Sequence, residues 1–112
     1  MASYIHGGYD NYTSGVSGWT DASYYGSGAT TVDFKQINNV PGATWNYQIE
    51  LQRLVNGTPV TTDTLSGSFK NNVTRSFNIT DNLPGDYRVL GTLWVGSGSR
   101  SKNRTDIFKI YR

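Results

Sequence analysis

The sequence predicts an all-β fold, a single antiparallel β-sandwich of about seven strands. Three observations carry this. Trp45, Tyr47, Ile49 and Leu51 recur at every second position, with Asn46, Gln48, Glu50 and Gln52 between them; this is the period of a half-buried strand. Turn signals punctuate the chain at short intervals: Asn-Asn-Val-Pro-Gly at 38–42, Asn56-Gly57, Ser66-Gly67-Ser68, Leu83-Pro84-Gly85 and Gly96-Ser97-Gly98. Aromatics make up 13% of residues while Glu50 is the only glutamate, so β formers outweigh helix formers.

Residues 1–30 form one compositional unit, in which six glycines are mixed with Tyr4, Tyr9, Tyr12, Trp19, Tyr24 and Tyr25. One or two short strands are expected there, around 3–6 and 18–25, joined by irregular loops. Residues 31–37 alternate, with Val32 and Phe34 on one face and Asp33 and Lys35 on the other. The Pro-Gly turn at 41–42 follows, then the strand that contains Trp45. Asn56-Gly57 suits a two-residue hairpin. It leads into a Thr-rich strand at 59–65, which Ser66-Gly67-Ser68 is expected to close. Residues 73–80 form the next strand, with Phe77 and Ile79 inward, and 87–95 a long one. After a turn at 96–99, residues 105–112 end the chain as a strand bearing Phe108 and Ile110. One domain of 1–112 accommodates all of this, since 112 residues is an ordinary single-domain length.

The segment Asp81-Asn82-Leu83-Pro84-Gly85-Asp86-Tyr87-Arg88-Val89 resembles the corner between strands E and F of immunoglobulin-like and fibronectin III-like domains. The resemblance spans residues 31–112. It implies that the Tyr87 hydroxyl returns to the backbone upstream and that Trp45 is the core aromatic of strand C. It also implies strand B at 31–37, C at 44–54, C′ or D at 59–65, E at 73–80, F at 87–95 and G at 105–111. The chain has no cysteine, so it departs from the disulfide-bonded antibody branch.

The same composition excludes much chemistry. Without Cys there are no disulfides, thiolate metal sites or cysteine nucleophiles. His6 is the only histidine, near the start of the chain, so a Ser-His-Asp arrangement would depend on it alone. Gly96-Ser97-Gly98-Ser99 runs into Arg100 and lacks the Gly-Lys-Ser/Thr of a phosphate loop. Asp10-Asn11 and Asp81-Asn82 read as turn formers rather than calcium ligands. We therefore expect no catalytic residues, no metal and no cofactor. No apolar run approaches the ~18 residues of a membrane span, and the low charge suits an extracellular or cell-surface protein of bacterial type.

What remains is a surface that binds. Tyr9, Tyr12, Trp19, Tyr24, Tyr25 and Trp94 are the candidate ligand-binding residues. Aromatic rings on a rigid β-scaffold offer large contact area at small entropic cost, and they stack on the apolar faces of sugars. Trp94 alternates away from Tyr87, Val89, Leu93 and Val95, which places it outside the main core. Core filling is the competing role for these rings, Trp19 above all. The expected partner is a polysaccharide or a protein surface. Nucleic acid is not expected, because the basic cluster of Arg100, Lys102, Arg104, Lys109 and Arg112 is not interleaved with aromatics; it reads as a charged hairpin that blunts an edge. Two alternatives stand beside this. One is a structural, self-assembling subunit (a homo-oligomer built by edge-strand pairing). The other is a secreted antagonist, a bacteriocin-like toxin or protease inhibitor, that presents its loops.

Overall fold

In the computed structural model, which describes Tyr9 and residues 15–112, the chain is an immunoglobulin-like sandwich. Its strands in chain order are β1 (Val16–Thr20), β2 (Tyr24–Tyr25), β3 (Thr31–Asn38), β4 (Trp45–Val55), β5 (Thr58–Phe69), β6 (Asn72–Asn78), β7 (Gly85–Trp94), β8 (Ser101–Arg104) and β9 (Phe108–Ile110). A three-stranded sheet has the order β1-β3-β6, and a six-stranded sheet the order β2-β9-β7-β4-β5 with β8 also on β7. The strand expected at 3–6 lies outside the described residues.

The alternation read from the sequence builds the core between the sheets. Val32 and Phe34 of β3 and Phe77 of β6 face Tyr47, Ile49 and Leu51 of β4 and Tyr87, Val89 and Leu93 of β7; all are buried. Two turns form as their residues dictate. Gly42 takes a φ of 89° after Pro41, and the Ala43 N–H donates to the Val40 carbonyl at 3.2 Å. Asn56 (φ 54°) and Gly57 (φ 81°) join β4 to β5, the left-handed pair that a tight hairpin requires.

The E–F corner forms as the resemblance implied. The Tyr87 hydroxyl, on a fully buried ring, donates to the Leu83 carbonyl at 2.6 Å. Tyr87→Phe is expected to cost about 1 kcal/mol through loss of this bond, read as a lower urea midpoint at unchanged slope. An unchanged midpoint would show that the corner holds without the hydroxyl.

Long-range pairing corrects three expectations and decides between the two alternatives of a fourth. The strand expected at 18–25 is two strands in different sheets. β1 pairs antiparallel with β3, and β2 pairs parallel with β9. The crossing is pinned by Asp21, whose carboxylate accepts from the Tyr25 hydroxyl and the Asp33 N–H. Ser66-Gly67-Ser68 does not end a strand, for β5 pairs with β4 all the way to Trp45↔Phe69. Gly67 is there for close approach: a Cβ would meet the Tyr47 hydroxyl at 2.7 Å. Of the two places open to the strand at 59–65, C′ or D, it takes C′, because its ladder is with β4. Residues 105–112 are not one strand. Thr105 accepts the Val89 N–H on its hydroxyl (2.9 Å) and donates its own N–H to the Val89 carbonyl. The register slips by one residue between Leu90↔Arg104 and Tyr87↔Phe108, the signature of a bulge.

Among the described residues, no helix is long and apolar enough to cross a membrane.

Candidate ligand-binding face

The strand pairing decides which side chains share the outer face of the large sheet, where Gln52 and Thr92 are buried at 7% and 9% exposure and their neighbours are more open. Core-facing Tyr87, Val89, Gly91 and Leu93 leave Arg88, Leu90, Thr92 and Trp94 on the outer face of β7. The register then lays Asn46 beside Trp94, Gln48 beside Thr92, Glu50 beside Leu90 and Gln52 beside Arg88. On the other side of β7, Lys102 flanks Thr92 and Arg104 flanks Leu90. β5 continues these rows with Ser66 opposite Gln48 and Thr64 opposite Glu50. From Arg88 to Trp94 this surface runs roughly 20 Å along the strands, and it is roughly 15 Å wide across four of them.

Local contacts order it. The Arg88 Nε–H donates to Gln52 Oε1 at 2.9 Å, and the Thr61 hydroxyl donates to Glu50 Oε1 at 2.8 Å. At the end nearest the β7–β8 loop, the Arg100 guanidinium carbon lies 4.2 Å from the centroid of the Trp94 ring, a cation–π stack. The loop is tightened by the Gly98 N–H donating to the Val95 carbonyl at 2.9 Å, with Gly96 at a φ of 57°. The arrangement can offer amides, hydroxyls and cations to a ligand lying along the sheet. Among the described residues, no three His, Cys, Asp or Glu side chains converge as a metal site.

The aromatics singled out from the sequence fall in different places. Tyr9 and Tyr25 are corrected to core residues, at 3% and 6% exposure. Tyr9 donates its hydroxyl to Gln36 Oε1 at 2.9 Å and packs edge-on to Phe34. Tyr25 packs edge-on to Phe108 and donates to the Asp21 carboxylate. Burial raises the pKa of both hydroxyls far above the ordinary 10.0, with the hydrogen bond to Asp21 adding to the rise at Tyr25. Both therefore stay neutral donors. A two-layer sandwich with few Leu and Ile fills its interior with such rings.

Tyr12 lies outside the described residues. Trp19 is half-buried on the outer face of the small sheet, beside Lys35. Tyr24 is exposed at the β2 edge, edge-on to Tyr111. That edge meets the large sheet beside Lys109 and Asp86, eight residues along β7 from Trp94, or roughly 26 Å. Thus Trp19, Tyr24 and Trp94 do not form one site.

Sequence reasoning reached Trp94 but missed its neighbours. Their signal was present in the outward positions of the clearest strand, Asn46, Gln48, Glu50 and Gln52. Three of these four are amides, which is not needed merely to keep a face soluble.

Comparison with known proteins bears on the whole domain. Residues 2–107 match the family described as YqgA MG2 macroglobulin domain. The PmoD soluble domain from Methylocystis sp. ATCC 49242 (Rockwell) superposes with a TM-score of 0.57 at 16% identity, over 80% of this chain and 78% of that one. At such low identity the likeness is one of fold. No curated protein matches the chain.

Proposed function

The chain belongs to the YqgA MG2 macroglobulin domain family, and on that premise we propose that it is a non-catalytic, extracellular or cell-surface binding module that holds polysaccharide on the outer face of its six-stranded sheet. The observation that carries this reading is the in-register row structure, with Trp94 beside Asn46 and the exposed Gln48 opposite the exposed Ser66. Carboxamides and hydroxyls at fixed spacing both donate and accept, which suits the vicinal hydroxyls of a sugar chain. The hydrogen-bonded strands on both sides give that ladder its rigidity.

Trp fluorescence tests it, during titration with a panel of neutral and charged polysaccharides and with molecular mass followed by light scattering. A saturable shift is expected from the monomer, lost in Trp94→Ala and retained in Trp19→Ala. A Trp94→Ala protein that titrates like wild type, or no shift with any polysaccharide, would sink the proposal.

One observation favours a second reading, self-association through β5. Among the described residues this long strand pairs only with β4, and most of its residues are exposed. Its open edge could accept a strand from another copy. Pro59 removes one donor, and the register shift opposite Leu51/Gln52 kinks the strand; both oppose such pairing. A mass that rises with concentration in the same light-scattering series would favour assembly.

A further inference from the structure

We infer that the polysaccharide held on this face is anionic, with its carboxylate or sulfate groups received by Arg100 and Lys102; this rests on the sugar-binding reading above. The first support is where the charge lies. Residues 1–34 contain Asp10, Asp21 and Asp33 and no Lys or Arg. The outer face of β7 and β8, with the loop joining them, carries Arg88, Arg100, Lys102 and Arg104. The neighbouring strand β4 opposes them with Glu50, and Asp106 lies two residues after Arg104. Asp86, farther along β7, is already paired with Lys109 at 2.6 Å. The surface that bears the amide ladder is therefore the cationic one.

The second support is the state of Arg100. Its guanidinium carbon lies 4.2 Å from the centroid of the Trp94 ring, so the ring holds the cation at the end of the amide ladder. Among the described residues no hydrogen bond engages the Arg100 N–H groups. A planar fork of donors matches a carboxylate or sulfate in bidentate fashion, and stacking on an aromatic ring holds it in place beforehand. A neutral sugar that stacked on this face of Trp94 would first have to displace the cation. An anionic sugar uses it where it stands. Lys102, beside Thr92 in the next row, adds a mobile point charge for the following residue of the chain. Single-stranded nucleic acid fits less well, since its platforms stack successive bases on several rings, and on β4, β5, β7 and β8 Trp94 is the one aromatic on the outer face, with Tyr24 at the far β2 edge.

Polygalacturonate against its fully methyl-esterified form, and dextran sulfate against dextran, test the inference, because each pair shares a backbone and differs in charge. Calorimetric titration of the full chain is expected to show at least one charged form binding about tenfold tighter than its neutral partner at low salt. That advantage should shrink severalfold between about 50 mM and about 300 mM salt, as the cations are screened. Arg100→Gln with Lys102→Gln should bring the charged form down to the affinity of its neutral partner, with an unchanged melting curve confirming the fold. Equal binding of charged and neutral forms overturns the anionic assignment and leaves the sugar-binding reading standing. Binding of none of the four overturns both. Binding of an oligothymidylate as tightly as the best polysaccharide overturns the assignment in favour of nucleic acid.

Discussion

Gly91→Ala is expected to lower the unfolding free energy by about 3–5 kcal/mol, as much as truncating a large core aromatic. A Cβ at Gly91 would stand 1.9 Å from the Tyr9 hydroxyl and 2.5 Å from Tyr9 Cζ. The ring cannot retreat, because Gly18 on the opposite sheet walls its other side: a Cβ there would meet Tyr9 Cε2 at 2.5 Å and Phe34 Cζ at 2.9 Å. Tyr9 therefore fills a slot that exists only because one strand of each sheet carries a glycine at that level. An added methyl must expel the ring and strip Gln36 Oε1 of its donor, so lost burial and an unsatisfied polar group add together. Urea unfolding of a double-mutant cycle isolates the cause. In a Tyr9→Ala background, Gly91→Ala should cost under about 1 kcal/mol, because the slot is then empty. A cost that persists in that background would mean β7 needs glycine for its own backbone.

Trp45→Ala should cost about 3–5 kcal/mol. Trp45 opens β4 at 9% exposure and donates its indole N–H to Asn38 Oδ1 at 2.7 Å. The same oxygen accepts the Val40 N–H, and the Asn38 amide donates to the Val40, Ala43 and Lys70 carbonyls. The indole thus packs the core and anchors the side chain that ties the β3–β4 turn to the strand β5 end. The expected result is a lower urea midpoint at unchanged slope. A normal midpoint would remove Trp45 from the core and sink its strand C role.

The binding face was legible in part. The amides at 46, 48 and 52 and the indole at 94 could be read as outward from period alone, since alternation is a local property of a strand. That the two strands are neighbours, in a register that puts Asn46 beside Trp94, could not be read from spacing. Nor could the role of the basic end, which read as a charged hairpin. Lys109 pairs with Asp86. Arg112 donates to the carbonyls of Ser27, Ala29, Ile79 and Asn82, clamping two loops far apart in the chain. Arg100 stacks on Trp94. One compositional cluster therefore divides among three tasks.

By itself the sequence determined the all-β class, the alternating core of β3, β4 and β7, the Pro41-Gly42 and Asn56-Gly57 turns and the Tyr87 corner. Each depends on residues within a few positions of one another, where backbone sterics and side-chain period decide the outcome. Only the tertiary structure decided that residues 18–25 divide between two sheets and that β5 is C′. It also decided that Gly67, Gly18 and Gly91 serve close approach rather than turns, and that Tyr9 and Tyr25 are core while Trp94 is surface. Those outcomes follow from which strand lies against which. Pairing between distant segments is settled by the whole interior packing at once, and no spacing along the chain encodes it.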